Sequence, residues 1–163
     1  PVASEMVDEV APSTDPGVVT VRSRAPGPYS QSISAGSHIL TADEPTSVGG
    51  ADSGPNPYDL LLASLGACTA MTLRMYADRK GFPLTDVEVV LRHDRIHAAD
   101  CDECDTQSGT VDHIDRAITL TGDLNADQRT SLFRIADRCP VHRSLTSEVH
   151  ITTRQVPEEQ VAG

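Results

Sequence analysis

Tryptophan is absent and aromatic residues make up only 3 % of the 163-residue chain. That leaves no stock of stacking side chains for single-stranded nucleic acid and few anchors for a large protein–protein hot spot. Basic residues are scarce too: 13 Lys and Arg stand against 24 Asp and Glu, a formal charge of −11. A nucleic acid or an anionic membrane surface would have to approach against that field, so neither is expected as a partner. Long hydrophobic runs are also missing. The longest uncharged one, Leu60 to Leu73, covers 14 residues, short of the ~18 needed to span a bilayer, and reads as a buried helix. Pro1 to Gly17 lacks the cationic start and apolar centre of a secretory signal and carries Glu5, Asp8 and Glu9 instead, so the expected location is cytoplasmic.

What is present suits one globular domain, residues 18–154, between a loose N-terminal segment at 1–17 and a loose tail at 155–163, both polar and without periodicity. Val18–Arg24, Tyr29–Ser34 and Ser37–Ala42 alternate or carry β-branched residues, and Pro26-Gly27-Pro28 and Ala35-Gly36 break them, which predicts an antiparallel meander. A helix follows over Pro57 to Lys80, with Asn56 as N-cap, Pro57 at the first helical position and Gly81 to end it. Apolar residues occupy almost all of its faces, so a sheet and either a second helix or a partner subunit must cover it. Val87–His93 and Ile114–Leu124 read as the strands of a long hairpin. Asn125 and Gln128 have the spacing of a capping box for a second helix, which Pro140 either ends or follows with a new one. Ser147 to Thr153, with Val149, Ile151 and Thr153 on one face, is expected to be a last strand.

The four cysteines carry the chemistry. Cys68 lies in the middle of the first helix, where a free cysteine can be a small buried hydrophobe or, with Gly66 and Ala67 beside it, a thiol open to close approach. It stands 11 residues from Pro57, beyond the first turn where the helix dipole acts, so a reactive Cys68 needs a cation from elsewhere. Arg22 and Arg24 are the candidates, with Arg74 and Arg79 read as solvated helix charges. Cys139 is either the last apolar residue of the second helix or a cap at a fresh N-terminus that lowers its pKa. The two cysteines could meet in the core of a small domain and cycle between dithiol and disulfide. Cys101 and Cys104 form a Cys-x-x-Cys flanked by Asp100, Asp102, Glu103 and Asp105. The acids disfavour an activated dithiol. That leaves an exposed loop or, where the hairpin brings His93, His97 and His113 together, a zinc site.

The run Gly54-Pro55-Asn56-Pro57-Tyr58-Asp59-Leu60-Leu61-Leu62-Ala63-Ser64-Leu65-Gly66-Ala67-Cys68-Thr69, with Cys139-Pro140-Val141-His142 placed 71 residues after Cys68, closely resembles the OsmC/Ohr family of osmotically inducible and organic hydroperoxide resistance proteins. The resemblance covers about Val18 to Thr153. It implies an α+β fold with antiparallel sheets around two central helices, in an intertwined homodimer with active sites at the interface. It also implies a cysteine-based peroxidase that needs no cofactor. Cys68 would attack the peroxide and become a sulfenic acid, Cys139 would resolve it to a disulfide, and an external thiol or dithiol would reduce that. An arginine from the N-terminal strands, Arg22 or Arg24 here, and a carboxylate from the Asn-Pro turn would complete the site. In the hydroperoxide-resistance branch that carboxylate stands ten residues before the cysteine, a place held by Tyr58 here, while Asp59 stands nine before. At that spacing Asp59 lies roughly 13 Å along the helix from its own Cys68, so a carboxylate acting at the thiol would come from the partner chain. Leu62, Leu65, Met71 and Met75 suggest an apolar lining suited to organic hydroperoxides. The competing reading is a non-catalytic dimer of the same fold, either metal-stabilised through Cys101, Cys104 and His97 or acting as a thiol redox sensor.

Overall fold

The computed structural model describes residues 15–25, 27–101, 104–106 and 108–157. Most of the two expected loose ends, 1–14 and 158–163, lies outside the described residues. The chain divides into two compact units: one runs through Ala63 and includes Arg95–Asp112, and the other comprises Ser64–Asp94 and the chain from His113 onward.

The first unit is built on the meander read from the sequence: β1 (Val19–Ser23), β2 (Gln31–Ala35) and β3 (His38–Ala42), antiparallel in the order β1-β2-β3. Val21 sits opposite Ile33, and Ile33 opposite Leu40. The inward parity of β2 is not apolar, because Ser32 and Ser34 are its buried residues and Ser30 precedes them. These hydroxyls lie near a buried carboxylate. Asp43, 2 % exposed, accepts hydrogen bonds from Ser53 Oγ at 2.7 Å, Ser53 N at 3.2 Å and Glu44 N at 2.8 Å. Ser30 Oγ reaches Asp43 at 3.4 Å and Ser53 Oγ at 2.8 Å. The whole turn-rich approach to the first helix is therefore wound around one acid. Gly54 lies against β3 so closely that a Cβ would stand 2.3 Å from the Thr41 carbonyl oxygen, so only glycine fits.

α1 (Pro57–Lys80) has the boundaries the sequence predicts. Asn56 Oδ1 accepts from Asp59 N at 3.0 Å while Asp59 Oδ2 accepts from Asn56 N at 3.1 Å, a reciprocal cap. At the other end Gly81 is left-handed at φ 67°. Its N–H reaches the Asp78 carbonyl and that of Phe82 reaches Ala77, which satisfies the last carbonyls. Leu65, Thr69, Leu73 and Ala77 recur every four residues and form the buried stripe. Gly66 lets Leu91 of β4 close to 2.8 Å of where a Cβ would be.

β4 (Leu84–His97) and β5 (Thr110–Gly122) pair as a two-stranded sheet. They run in opposite directions, with Asp94 against His113, Arg95 against Asp112 and Ala98 against Gly109. α2 (Ala126–Ala136) starts at the predicted capping box of Asn125 and Gln128, and Pro140 opens a separate short helix, α3 (Pro140–Leu145). Leu73, Ala77, Leu84, Leu120, Leu124, Leu132 and Ala136 form the core of the second unit. Fully burying a leucine in such a cluster stabilises by about 1.5–3 kcal/mol. α1 is long and apolar enough to cross a bilayer on length and composition, with a mean hydropathy of 1.3, but its Leu73 and Ala77 belong to this core.

Two expectations are corrected. Ser147–Thr153 forms no strand; Val149 and Ile151 are 61 % and 81 % exposed, and no strand among the described residues pairs with the segment, as a strand requires. Arg74 is not a solvated charge. Its guanidinium donates to the carbonyls of Leu84 and Thr85 and ties α1 to the start of β4.

The Asp43 cluster yields a pH prediction. The Ser53 hydroxyl, together with the backbone N–H groups of Glu44 and Ser53, holds its carboxyl below the ordinary carboxylate value despite burial. The folded-state pKa lies below the unfolded one, so the stabilisation is complete above the unfolded value and disappears as pH falls through the folded one. Asp43→Asn should lower Tm at neutral pH and flatten the acid limb of a Tm–pH profile. An acid limb as steep as the wild type's would exclude this role.

Candidate functional site

Both free thiols belong to the second unit, and they touch. Cys68, half-buried, comes from the middle of α1, and Cys139, 0 % exposed, stands at the N-cap of α3. The Cys68 thiol lies close enough to Cys139 to favour its thiolate. Pro140 gives α3 a preset first residue, and the Cys139 Sγ accepts the His142 N–H at 3.3 Å as an ordinary cap oxygen would. Thr69, the residue after Cys68, places its hydroxyl 3.8 Å from the same sulfur and 2.8 Å from the Leu65 carbonyl oxygen. Its single hydrogen can serve either acceptor.

A guanidinium closes the arrangement. Arg116 of β5, its side chain only 13 % exposed, donates through Nη1 to Thr69 Oγ1 at 3.0 Å and to the Ala136 carbonyl at 3.4 Å. Through Nη2 it donates to Asp137 Oδ1 at 2.7 Å. It therefore joins α1, the C-terminal end of α2 and Asp137, two residues before Cys139. Burial pushes the Cys139 thiol up, but the His142 N–H, the Cys68 thiol, the Thr69 hydroxyl and the Arg116 charge outweigh it, and its pKa lies below the ordinary thiol value.

Other expected residues stand elsewhere. Arg22 lies in β1 and Arg24 follows it, both exposed and in the unit without these thiols. Within the second unit, Arg116 is a cation that acts on Cys139. Asp59 is occupied by its reciprocal cap with Asn56. Cys101 and Cys104 are bonded to each other as a disulfide with a Cα–Cα separation of 5.5 Å. Disulfide sulfurs are not thiolate ligands for zinc. His97 is exposed at the end of β4, and among the described residues no group of three or more His, Cys, Asp or Glu converges to hold a metal ion. Leu65 is buried, whereas Met71 and Met75 are 65 % and 71 % exposed on the opposite face of α1.

A family model described as OsmC-like protein matches residues 50–154, which include both thiols and Arg116. The chain belongs to the OsmC-like protein family. Solved structures share the fold of this OsmC-like chain. One is an organic hydroperoxide resistance protein OsmC from Legionella pneumophila, 20 % identical with a TM-score of 0.56, the match covering 79 % of this chain and 88 % of that one. Another is the organic hydroperoxide resistance protein OhrB of Bacillus subtilis, 21 % identical, TM-score 0.53, covering 79 % and 89 %. A third is an OsmC like protein from Mycoplasma pneumoniae, 18 % identical, TM-score 0.56, covering 78 % and 85 %. No curated protein sequence matches.

The OsmC-like chain's Arg116 and Thr69 were not among the residues picked out from sequence. A signal for Arg116 exists, because Ile114, Arg116, Ile118 and Leu120 share the inward parity of β5. A charged residue on that face needs a buried partner. The network makes a prediction for the thiol itself. In a Cys68→Ser chain, thiolate absorbance should titrate below the ordinary cysteine value, and Arg116→Met should move the midpoint up. Equal midpoints in the two chains would remove Arg116 from the account.

Proposed function

We propose that this OsmC-like chain is a thiol peroxidase that reduces organic hydroperoxides through Cys68 and Cys139. The observation that supports the reading most is the division of labour between two touching thiols: Cys68 is the accessible one, and Cys139 is buried and favoured as thiolate. Cys139 is fully buried, so the half-buried Cys68 is the sulfur a peroxide can reach and the one that attacks. Cys68 attacks the hydroperoxide and gives up its proton, the O–O bond breaks, and the alkoxide that leaves takes up a proton to become the alcohol. Cys68 is now a sulfenic acid. Cys139 attacks it, its proton leaves with the hydroxyl as water, and the disulfide forms. Two external thiols, or one dithiol, restore the pair and are themselves oxidised to a disulfide. Arg116, acting through Thr69, is a positioning residue that keeps the charge on Cys139.

Cys68→Ser should abolish hydroperoxide consumption in the presence of a dithiol reductant, and Cys139→Ser should stop after one turnover. Organic hydroperoxides should be consumed faster than hydrogen peroxide. Full activity in Cys68→Ser would overturn the peroxidase reading and leave the thiols a sensing or structural role.

We further propose that the chain works as a homodimer. Ala67, Met71 and Met75 form an exposed apolar stripe on α1 opposite its buried face, and Val149 and Ile151 are exposed on a segment with strand character and no strand beside it. Apolar surface of this kind favours a self-complementary contact across a two-fold axis. Solution mass should correspond to two chains, and Met71→Glu with Met75→Glu should shift it to one. A monomeric wild type would exclude the dimer.

A further inference from the structure

The second unit carries another concentration of unusual side chains, away from the thiol network. Four basic residues line a single cavity of about 380 Å³: Arg79 and Lys80 from the last turn of α1, Arg134 from the last turn of α2, and Arg138 just beyond it. In a chain with 13 basic residues and a formal charge of −11, that convergence runs against the overall field. Among the described residues, none of the four has a carboxylate partner or an acceptor for its side chain. Three other cations of the same unit, Arg74, Arg116 and Arg129, donate to backbone carbonyls.

Helix ends account for part of this. Cations in a last turn complement the macrodipole by about 0.3–1 kcal/mol each, which explains Arg79, Lys80 and Arg134 one by one. It does not explain why two helices aim them at one cavity, nor Arg138, which lies outside any helix. The floor is also fixed. Tyr76 and Ile135 pack against the core, and the Tyr76 ring holds Arg79 at 5.7 Å and Lys80 at 6.0 Å from its centroid. Such contacts restrain both cations at the cavity before anything binds. With cations already over that ring, it offers no ready stacking platform for a base. Arginine forks match phosphate oxygens in pairs. The volume sits at the lower end of the ~300–1,000 Å³ of ligand pockets, which suits a short chain of phosphates better than one.

We propose that this cavity is a binding site for a polyphosphate group, held by Arg79, Lys80, Arg134 and Arg138 through its phosphate oxygens. The site is independent of the peroxidase reading and is tested without any activity. Calorimetric titration of the full chain at low ionic strength should give one tripolyphosphate bound per chain, and ATP should bind comparably, because the phosphates and not the base are read. Arg134→Glu and Arg138→Glu should each weaken tripolyphosphate binding by at least about tenfold, while Arg95→Glu, an exposed cation of the hairpin in the other unit, should leave it near the wild-type value. Failure of tripolyphosphate to bind, with or without ATP binding, overturns the proposal. So does retained affinity in the Arg134 and Arg138 variants, an equal loss in Arg95→Glu, or competition by citrate as effective as by tripolyphosphate, since any of these reduces the cavity to unspecific charge.

Discussion

The Arg116 guanidinium is the contact on which the geometry of the thiols depends. One planar group holds Thr69 on α1, the last carbonyl of α2 and the Asp137 carboxylate, and Cys139 follows two residues later. A charge with its side chain only 13 % exposed is stable there because each of its neighbours is an oxygen, one of them charged. The same bonds that settle the buried charge also hold the end of α2 against the middle of α1. In this way a requirement of solvation becomes a constraint on where Cys139 can lie relative to Cys68. The exposed side of the Asp137 pair, 66 % accessible, contributes less to stability than to the direction of the fork.

The two thiols are then differentiated by the elements that carry them. Mid-helix, Cys68 has no free backbone donor, since the N–H groups of that turn are consumed by α1 itself. Cys139 is at a helix start, where the His142 N–H is free to point at sulfur. Burial would make Cys139 the more inert of the pair, yet directed donors reverse the sign. Thr69 gains a particular place in that balance. Its hydroxyl accepts from Arg116, and its single hydrogen lies between the Leu65 carbonyl and the Cys139 sulfur. A negative sulfur is the better acceptor of the two in a dry site, so this hydroxyl can follow the charge as it appears and leaves.

Local rules were sufficient for much of the fold. The ends of α1 are set by Asn56, Pro57 and Gly81, and the start of α2 by Asn125 and Gln128, all within a few residues of the groups they satisfy. The pairing of Cys68 with Cys139 was legible through the family motifs and not through spacing, because 71 intervening residues carry no distance information. Arg116 was missed for a related reason. Its partners are 47 and 20 residues away along the chain, and an arginine in an alternating strand looks like any outward charge until the parity is compared with Ile118 and Leu120. The Cys101–Cys104 pair is a different case. The spacing suits a metal ligand pair and a disulfide equally, and only the position of the two sulfurs separates them.

What remains outside the local rules is the outer side of α1. A helix apolar on almost all faces was expected to be covered all round, but the buried face is the one that carries Leu65, Gly66, Thr69, Leu73 and Ala77. The opposite stripe through Met71 and Met75 stays in water, as do Val149 and Ile151. Methionine is suited to such a surface, since its flexible thioether can repack against whatever arrives. The strand-like alternation of 147–153 has the same character: its side chains are patterned for a sheet, but the hydrogen bonds that would make it one must come from another edge. Both features are local sequence decisions that the described residues of a single chain leave unsatisfied.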